Sequence, residues 1–346
     1  MNKNTLGIIG GGQLGMFICI AAKKIGLKTI IYSNNEDFSA RNYCDKFFIG
    51  SFFDQNKIKD FLNCADYFTI ETENIPKDFL KIIEQKKKLF PSSKTVEITQ
   101  NRLIEKTFLN KINFVKTARF FEINNFGDLE KSAKKFNYDC ILKTQEFGYD
   151  GKGQFQINNS DLSIHRTKKL NQLILEERVN FKSEISVVAV GNGREVIFYP
   201  PVENIHKNSI LRETIYPANI SEKLKINSLK ISKLISKKLK LNGILAIEMF
   251  VTENDEILVN ELAPRPHNSG HWTMDGCAFS QFDNLVSIIK NNELLEPNPL
   301  KFCKMINLIG NDYLNIKKIQ KKYKSYDYFK KEIRDHRKMG HYIIFD

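Results

Sequence analysis

What this chain lacks narrows its class first. Its six cysteines (Cys19, Cys44, Cys64, Cys140, Cys277 and Cys303) stand far apart, with no C-x-x-C spacing. That argues against a zinc motif or a disulfide framework and fits reduced thiols in a cytoplasm. No apolar run approaches the ~20 residues that span a membrane. Glycines and Gln13 interrupt the apolar N-terminus that superficially suggests a signal peptide. A soluble cytoplasmic protein with no membrane partner is expected. Internal repeats and stretches of disordered composition are missing too, and tryptophan occurs once, as Trp272.

Acidic residues are in the minority, 40 Asp+Glu against 53 Lys+Arg, for a net charge of +13. Such an excess can mark a nucleic-acid surface, but the lysines are scattered. The densest clusters, Lys86–Lys88 and Lys317–Lys322, are not interleaved with an aromatic platform. A solvated basic surface suited to anionic substrates is the better reading, with no nucleic-acid partner. At 346 residues the chain exceeds what one core usually serves, so two or three domains are expected.

Thr5–Ile9 reads as a strand running into Gly10-Gly11-Gly12-Gln13-Leu14-Gly15, with helical spacing over Met16–Ile25 and a strand at Lys28–Tyr32. A helix over 54–63 and a strand at Tyr67–Ile70 follow, and that strand ends in Glu71-Thr72-Glu73-Asn74 before Pro76 opens another helix. Strands alternating with helices imply a parallel sheet covered on both faces, closing near residue 100. Gly10-x-Gly12-x-x-Gly15 matches a dinucleotide fingerprint, but no acid stands clearly at the end of the second strand to take a ribose. A phosphate site independent of NAD and a purely structural turn both remain open on these residues.

Cys140–Thr144 is a strand carrying Lys143, and it opens into Gly148-Tyr149-Asp150-Gly151-Lys152-Gly153-Gln154. A strand lysine ahead of a glycine-rich hairpin suits nucleotide phosphates: the ammonium is a point charge, and glycine backbone can close over phosphate. The segment does not match G-x-x-x-x-G-K-[ST], so P-loop chemistry is unsupported. Leu173–Glu177 is a strand ending in two acids that suit an adenine amino group and ribose hydroxyls. Glu184–Val190 and Val196–Tyr199 read as a hairpin, His206 as part of a polar loop, and Glu222–Leu239 as a long helix.

Gly243–Val251 and Glu256–Leu262 form a second hairpin, placing Glu248 and Glu261 at one site with Asn260 beside them. Two carboxylates and an amide are hard oxygen ligands that suit Mg²⁺ bound with ATP phosphates. The hairpin leads into the densest polar stretch of the chain, NELAPRPHNSGHWT from Asn260 to Thr273. Pro264 and Pro266 stop strand pairing, so the residues after them lie on a loop held by a rigid strand, where binding groups are commonly placed. Near the C-terminus a basic turn, Arg334 to His341, precedes a final strand, Tyr342–Phe345.

GIIGGGQLG, ETENIP, the Lys143 strand, GYDGKGQ, ILEERVNF, NELAPRPHNSGHWT and RKMGH, in that order, span essentially the whole chain. Together they resemble the 5-(carboxyamino)imidazole ribonucleotide synthases, an ATP-grasp family of purine synthesis. The resemblance implies an α/β protein, α+β in its central unit: an N-terminal Rossmann-like parallel-sheet domain (1–100), an ATP-grasp domain (101–292) with a mobile lid at about 112–178, and a small β-rich C-terminal domain (293–346). It implies that ATP phosphorylates bicarbonate to carboxyphosphate and that the exocyclic amine of 5-aminoimidazole ribonucleotide takes up the carboxyl group. ATP would meet Arg102, Lys143, the Gly148–Gln154 loop, Glu176, Glu177, Arg178, Val179, Glu184, His206, Asn260 and Glu261, with Mg²⁺ on Glu248 and Glu261. The ribonucleotide would meet Gly12, Gln13, Leu14, Glu73, Ser269 and Arg337. Arg265, His267, Asn268, Lys338, Tyr149 and Asp150 would serve the chemistry, and a homodimer is the family habit. Another ATP-grasp ligase, such as a formate-using glycinamide ribonucleotide transformylase, is the alternative.

Overall fold

The computed structural model describes residues 4–146, 153–158, 162, 170, 172–329 and 332–346. In the first unit β1 (Thr5–Ile9), β2 (Lys28–Ser33), β3 (Lys46–Ile49), β4 (Tyr67–Ile70) and β5 (Lys88–Phe90) form a parallel sheet in the order β3-β2-β1-β4-β5. Its faces are covered by α1 (Gln13–Lys24), α2 (Gln55–Cys64) and α3 (Lys77–Lys86), as the buried strands require. β3 and β5 are the strands that periodicity misses: β3 is partly exposed, and β5 follows a lysine run that masks its two buried residues. α4 (Ser93–Gln100) and α5 (Arg102–Leu109) meet at Asn101, whose Oδ1 accepts from Leu103 and Ile104 N–H and so starts the second helix.

β6 (Phe120–Ile123), β7 (Cys140–Thr144), β8 (Gln154–Ile157) and β9 (Leu173–Glu177) form an antiparallel sheet in the order β6-β9-β7-β8, with α6 (Phe126–Lys135) packed on it through Leu129 and Ala133. The largest sheet joins β10 (Phe181–Asn192), β11 (Val196–Phe198), β12 (Val202–Lys207), β13 (Ile210–Tyr216), β14 (Asn242–Thr252), β15 (Ile257–Ala263), β16 (Cys303–Ile309), β17 (Lys324–Asp327) and β18 (Lys338–Phe345). The order is β15-β14-β10-β12-β13-β16-β18-β17, with β11 added on β10. The C-terminal strands therefore continue the central sheet through the β13–β16 pairing. His206 lies on β12, not in a loop, and β18 begins at Lys338, so His341 is a fully buried strand residue rather than part of a charged turn.

β10 is covered on both faces. Ile185, Val187 and Ala189 pack with α7 (Glu222–Leu239), while Val188 and Val190 pack with α9 (Gln281–Asn291), which follows the short α8 (Thr273–Gly276). A last short helix, α10 (Ile316–Gln320), precedes β17. Strand alternation puts Glu248 on the α9 face with Ile244 and Ala246. No described helix is long and apolar enough to cross a membrane.

One side chain ties the three regions together. Phe17 of α1 meets His271 and Phe282 at 5.3 Å, Tyr326 at 5.7 Å, and Tyr328 and His341 at 5.9 Å, mostly edge-on. Phe17→Ala removes that shared core and is expected to cost about 3–5 kcal/mol. Chemical denaturation followed by circular dichroism measures it, and a loss below about 1 kcal/mol would deny Phe17 this role.

Candidate active site

The site starts from a register. Glu248 on β14 lies directly opposite Glu261 on β15 and opposite Ser186 on β10, so the three form one row across the sheet. A bulge between Glu248 and Met249 leaves Asn260 without a cross-strand partner, and this bulge brings Glu261 rather than Asn260 into line with Glu248. Glu261 is exposed, whereas the Glu248 side chain is only 12% exposed. Burial, followed by the nearby Glu261 charge, pushes the Glu248 carboxyl up to about 8. Its direct partner is His267, whose Nε2 stands 3.2 Å from Glu248 Oε1.

His267 lies in the loop after β15, and Gln281 of α9 grips its backbone with both amide atoms. Gln281 Oε1 accepts from His267 N at 2.9 Å, and Gln281 Nε2 donates to His267 O at 2.7 Å. Gly270 is needed beneath this clamp, because a Cβ there would stand 2.5 Å from Gln281 Oε1. Burial, then Arg265 and Lys338, hold the His267 pKa well below its ordinary value. Next in the loop, Asn268 is buried, and neither atom of its amide has a hydrogen-bond partner among the described residues. Ser269 is fully buried.

Arg265 reaches across to the first unit and binds both carboxylate oxygens of Glu73, its Nη2 donating to Oε1 at 2.9 Å. Burial opposes the Glu73 charge, but Arg265 outweighs it and lowers the pKa. Glu71 has a different job. Its carboxylate accepts from Gly12 N at 2.9 Å and Gly15 N at 3.4 Å, filling the underside of the glycine loop. Gly10 has φ +96°, and a Cβ there would meet Glu71 Cγ at 2.5 Å, so the loop needs glycine to close over this acid. Gln13 and Leu14 begin α1 just above it.

On the other side of the cleft Lys143 of β7 donates to Glu176 of β9 at 2.8 Å. Lys106 of α5 stands 3.4 Å from the same carboxylate and also donates to Asn260 O at 3.2 Å. Burial opposes the Glu176 charge, but the two ammonium groups outweigh it and lower its pKa. Burial likewise lowers the pKa of Lys143 despite Glu176, with Lys106 and Arg102 adding repulsion. Arg102 bonds Thr144 O through Nη1 at 2.8 Å. Glu177 and Arg178 spend their side chains at the surface on Arg119 and Asp139, and Val179 follows half-buried. Glu184 lies 3.1 Å from His206 Nδ1. Burial disfavours charge on His206, yet Glu184 and then Glu248 raise its pKa.

Gly153 and Gln154 hold the start of β8, with Gln154 opposite Lys143 and Gly153 O accepting from Thr144 N. Gly148, Tyr149, Asp150, Gly151 and Lys152 lie outside the described residues. Lys338 begins β18, and its charge acts on Glu248, His206 and His267. Arg337, beside it, lies 4.0 Å from Asp37 of the first unit.

Three family models match successive parts of the chain: a ribonucleotide synthetase preATP-grasp domain over 3–100, an ATP-grasp domain over 107–282, and a phosphoribosylaminoimidazole carboxylase C-terminal domain over 303–346. The N5-carboxyaminoimidazole ribonucleotide synthase of Bacillus subtilis is 36% identical over 344 residues, covering 97% of this chain and 90% of that protein. The chain belongs to the N5-carboxyaminoimidazole ribonucleotide synthase family. It also matches the bifunctional purine synthesis protein purC/E of Dictyostelium discoideum at 34% identity, spanning 36% of that longer protein. The ADP complex of purK superimposes over the whole chain with a TM-score of 0.94 and 36% identity, covering 93% of that structure. An Aspergillus clavatus synthase structure holding ADP and 5-aminoimidazole ribonucleotide gives a TM-score of 0.91 at 26% identity, over 100% of this chain and 94% of that one.

Sequence reasoning missed several residues of this synthase-family cleft. Lys106 shares a helix face with Arg102 at i,i+4, a spacing that was available to find it. Glu105, also unnoticed, is buried and accepts from Leu262 N at 3.1 Å, which steadies β15 next to Glu261. Ser186, Asn204 and Thr214 are buried polar residues inside apolar strands.

The Glu248 shift has a sign that can be tested without turnover. Its folded-state pKa exceeds the unfolded one, so the protonated form favours folding. That contribution is complete below the ordinary carboxyl pKa and is lost as pH rises toward about 8. Thermal stabilisation by Mg²⁺–ATP should therefore be larger at about pH 8.5 than at about pH 6 in scanning fluorimetry. Equal stabilisation at both would deny Glu248 the Mg²⁺-ligand role expected from the sequence.

Proposed function

We propose that this cleft carboxylates the exocyclic amine of 5-aminoimidazole ribonucleotide, using ATP and bicarbonate and releasing ADP and phosphate. The observation that carries the reading is the row Glu248–Glu261, which ends on the Arg265–Ser269 loop and so joins an ATP–metal side to an acceptor side within one stretch.

Among the described residues no three His, Cys, Asp or Glu side chains gather as a ready-made metal centre. The paired carboxylates still fit Mg²⁺, which is commonly held by one or two carboxylates while phosphate oxygens and water complete the shell. Mg²⁺ bound there supplies charge neutralisation for the transferring phosphoryl group. Glu248 and Glu261 hold it, with Asn260 beside them. Lys143, Arg102 and the loop Gly148–Gln154 take the ATP phosphates. Glu176 to Val179, Glu184 and His206 take adenine and ribose, with Glu177 and Arg178 contributing through their backbone.

The ribonucleotide phosphate sits on the N–H groups of Gln13 and Leu14 at the α1 terminus, beside Gly12. Glu71 supports this reading because it already occupies the inner N–H groups of the loop. Arg265 and Asn268 orient carboxyphosphate, with the buried Ser269 behind them, and Glu73, Arg337 and Lys338 close around the ribonucleotide. Tyr149 and Asp150 contact it from the lid, which excludes water from a labile intermediate. A homodimer in the cytoplasm belongs to the same reading.

ADP release should require both bicarbonate and aminoimidazole ribonucleotide; equal turnover with formate and glycinamide ribonucleotide would reverse the assignment. Glu261→Gln should cut turnover by ~100-fold or more while leaving the circular dichroism spectrum intact, and retained activity would sink the metal assignment. Lys338→Ala should raise KM for the ribonucleotide and leave KM for ATP in place. An equal rise in both would move Lys338 off the acceptor side.

A further inference from the structure

A chain of buried hydroxyls and one amide runs under the cleft into His267. Thr214 Oγ1 donates to Asn204 Oδ1 at 3.1 Å, and Asn204 Nδ2 donates to Ser186 Oγ at 2.9 Å. Ser186 Oγ donates to Ser269 Oγ at 2.8 Å, and Ser269 Oγ lies 2.8 Å from His267 Nδ1. Exposure of these four residues is 5% or less: Thr214 0%, Asn204 5%, Ser186 1% and Ser269 0%. Each hydroxyl has one proton to give, and the Asn204 amide accepts on Oδ1 while donating from Nδ2, so the direction of one bond sets the direction of the next.

The direction is settled at the end of the chain. Read outward from Thr214, the Ser269 hydroxyl has already accepted from Ser186, and its own proton is left for His267 Nδ1. The reverse order would need Nδ1 to carry a hydrogen. The backbone N–H of Ser269 forbids that, because it also donates to His267 Nδ1, at 3.3 Å, and a peptide N–H cannot accept. Two donors converge on Nδ1, so that nitrogen holds a lone pair. The ring proton is on Nε2, which faces Glu248 Oε1 at 3.2 Å.

We propose that Thr214, Asn204, Ser186 and Ser269 are positioning residues that hold His267 as its Nε2–H tautomer, so that His267 serves the carboxylation as a hydrogen-bond donor and not as the base for the amine. The role rests on the functional reading above. With Nδ1 engaged by two donors and Nε2 protonated, the imidazole has no lone pair for the ribonucleotide amine. It fixes Glu248 instead, holding Oε1 of the carboxylate that stands opposite Glu261, as a hydrogen-bonded neighbour fixes a ligating carboxylate.

Two-bond ¹H–¹⁵N correlation spectra of protein labelled with ¹⁵N-histidine read the tautomer directly, with His267→Gln assigning the signal. The expected result is a protonated Nε2 and an unprotonated Nδ1 at neutral pH. Asn204→Ala leaves the Ser269 N–H on Nδ1 but removes the order of the hydroxyl chain, so it should shift the His267 Nδ1 signal and lower kcat while KM for ATP holds. Unmoved signals would overturn the relay. In kinetics His267→Gln, whose amide nitrogen can reach the Nε2 position, should retain ~10-fold more turnover than His267→Ala. Equal loss in both would overturn the donor role. The wild-type spectrum needs no variant to fold, and an Nδ1–H form in an enzyme with ribonucleotide-dependent ADP release overturns this inference alone. ADP release independent of the ribonucleotide overturns the functional reading instead.

Discussion

Two carboxylates in register, Glu248 opposite Glu261, are the constraint around which the cleft is arranged. Like charges directly opposite on a sheet destabilise it, so this pairing persists only where other interactions compensate. The compensation is visible on every side. His267 meets Glu248, Lys106 donates to the carbonyl of Asn260, and Glu105 accepts the N–H of Leu262. The bulge at Asn260 is what sets the register, because without it Asn260 would face Glu248 and Glu261 would turn to the other face. These neighbours keep the pair in place, and the Mg²⁺ of the proposed reading would resolve the repulsion more fully than any of them.

The rest of the fold delivers groups to that row. The first unit supplies Glu73, which crosses to Arg265, and Glu71, which shapes the glycine loop. Because β16 pairs with β13, the C-terminal strands are built onto the central sheet, and Lys338 arrives at the cleft through the rigid start of β18. The Phe17 cluster welds α1 to the loop and to β18. His271 and His341 are part of this weld: their rings stack at 5.0 Å, and burial holds both below the ordinary imidazole pKa. Both lie in polar stretches of the sequence, and both are core.

That distinction shows where the sequence is readable. The glycine loop, the Lys143 strand, the Glu248–Glu261 hairpin and the loop after Pro264 were all legible, because each sits at a change of periodicity marked by glycine, proline or charge. VENIHK alternates too weakly to signal a strand, so His206 reads as loop from sequence alone, and pairing with β10 and β13 overrides that weakness. Ser186, Asn204, Thr214 and Gln281 were invisible for another reason. Each is an ordinary polar residue in its own segment, and each acquires a role only through partners 83, 18, 10 and 14 positions away. No local pattern carries that information.

Most of the charged groups of the cleft are paired with one another. Arg265 holds Glu73, Lys143 and Lys106 hold Glu176, and the inner N–H groups of the glycine loop hold Glu71. An unpaired buried charge is costly, so these internal partners are what allow a cleft this rich in ions to fold before substrates arrive. Ligand binding is then an exchange of partners rather than a first desolvation, and its free energy is the difference between two well-made pairings. A phosphate that reaches only one cation gains little over the carboxylate it displaces. On the proposed reading, ATP would engage Lys143, Arg102 and the Glu248–Glu261 pair together, and gain at each. Discrimination against smaller anions follows from that multiplicity, because no single ion pair in the cleft is left waiting for one.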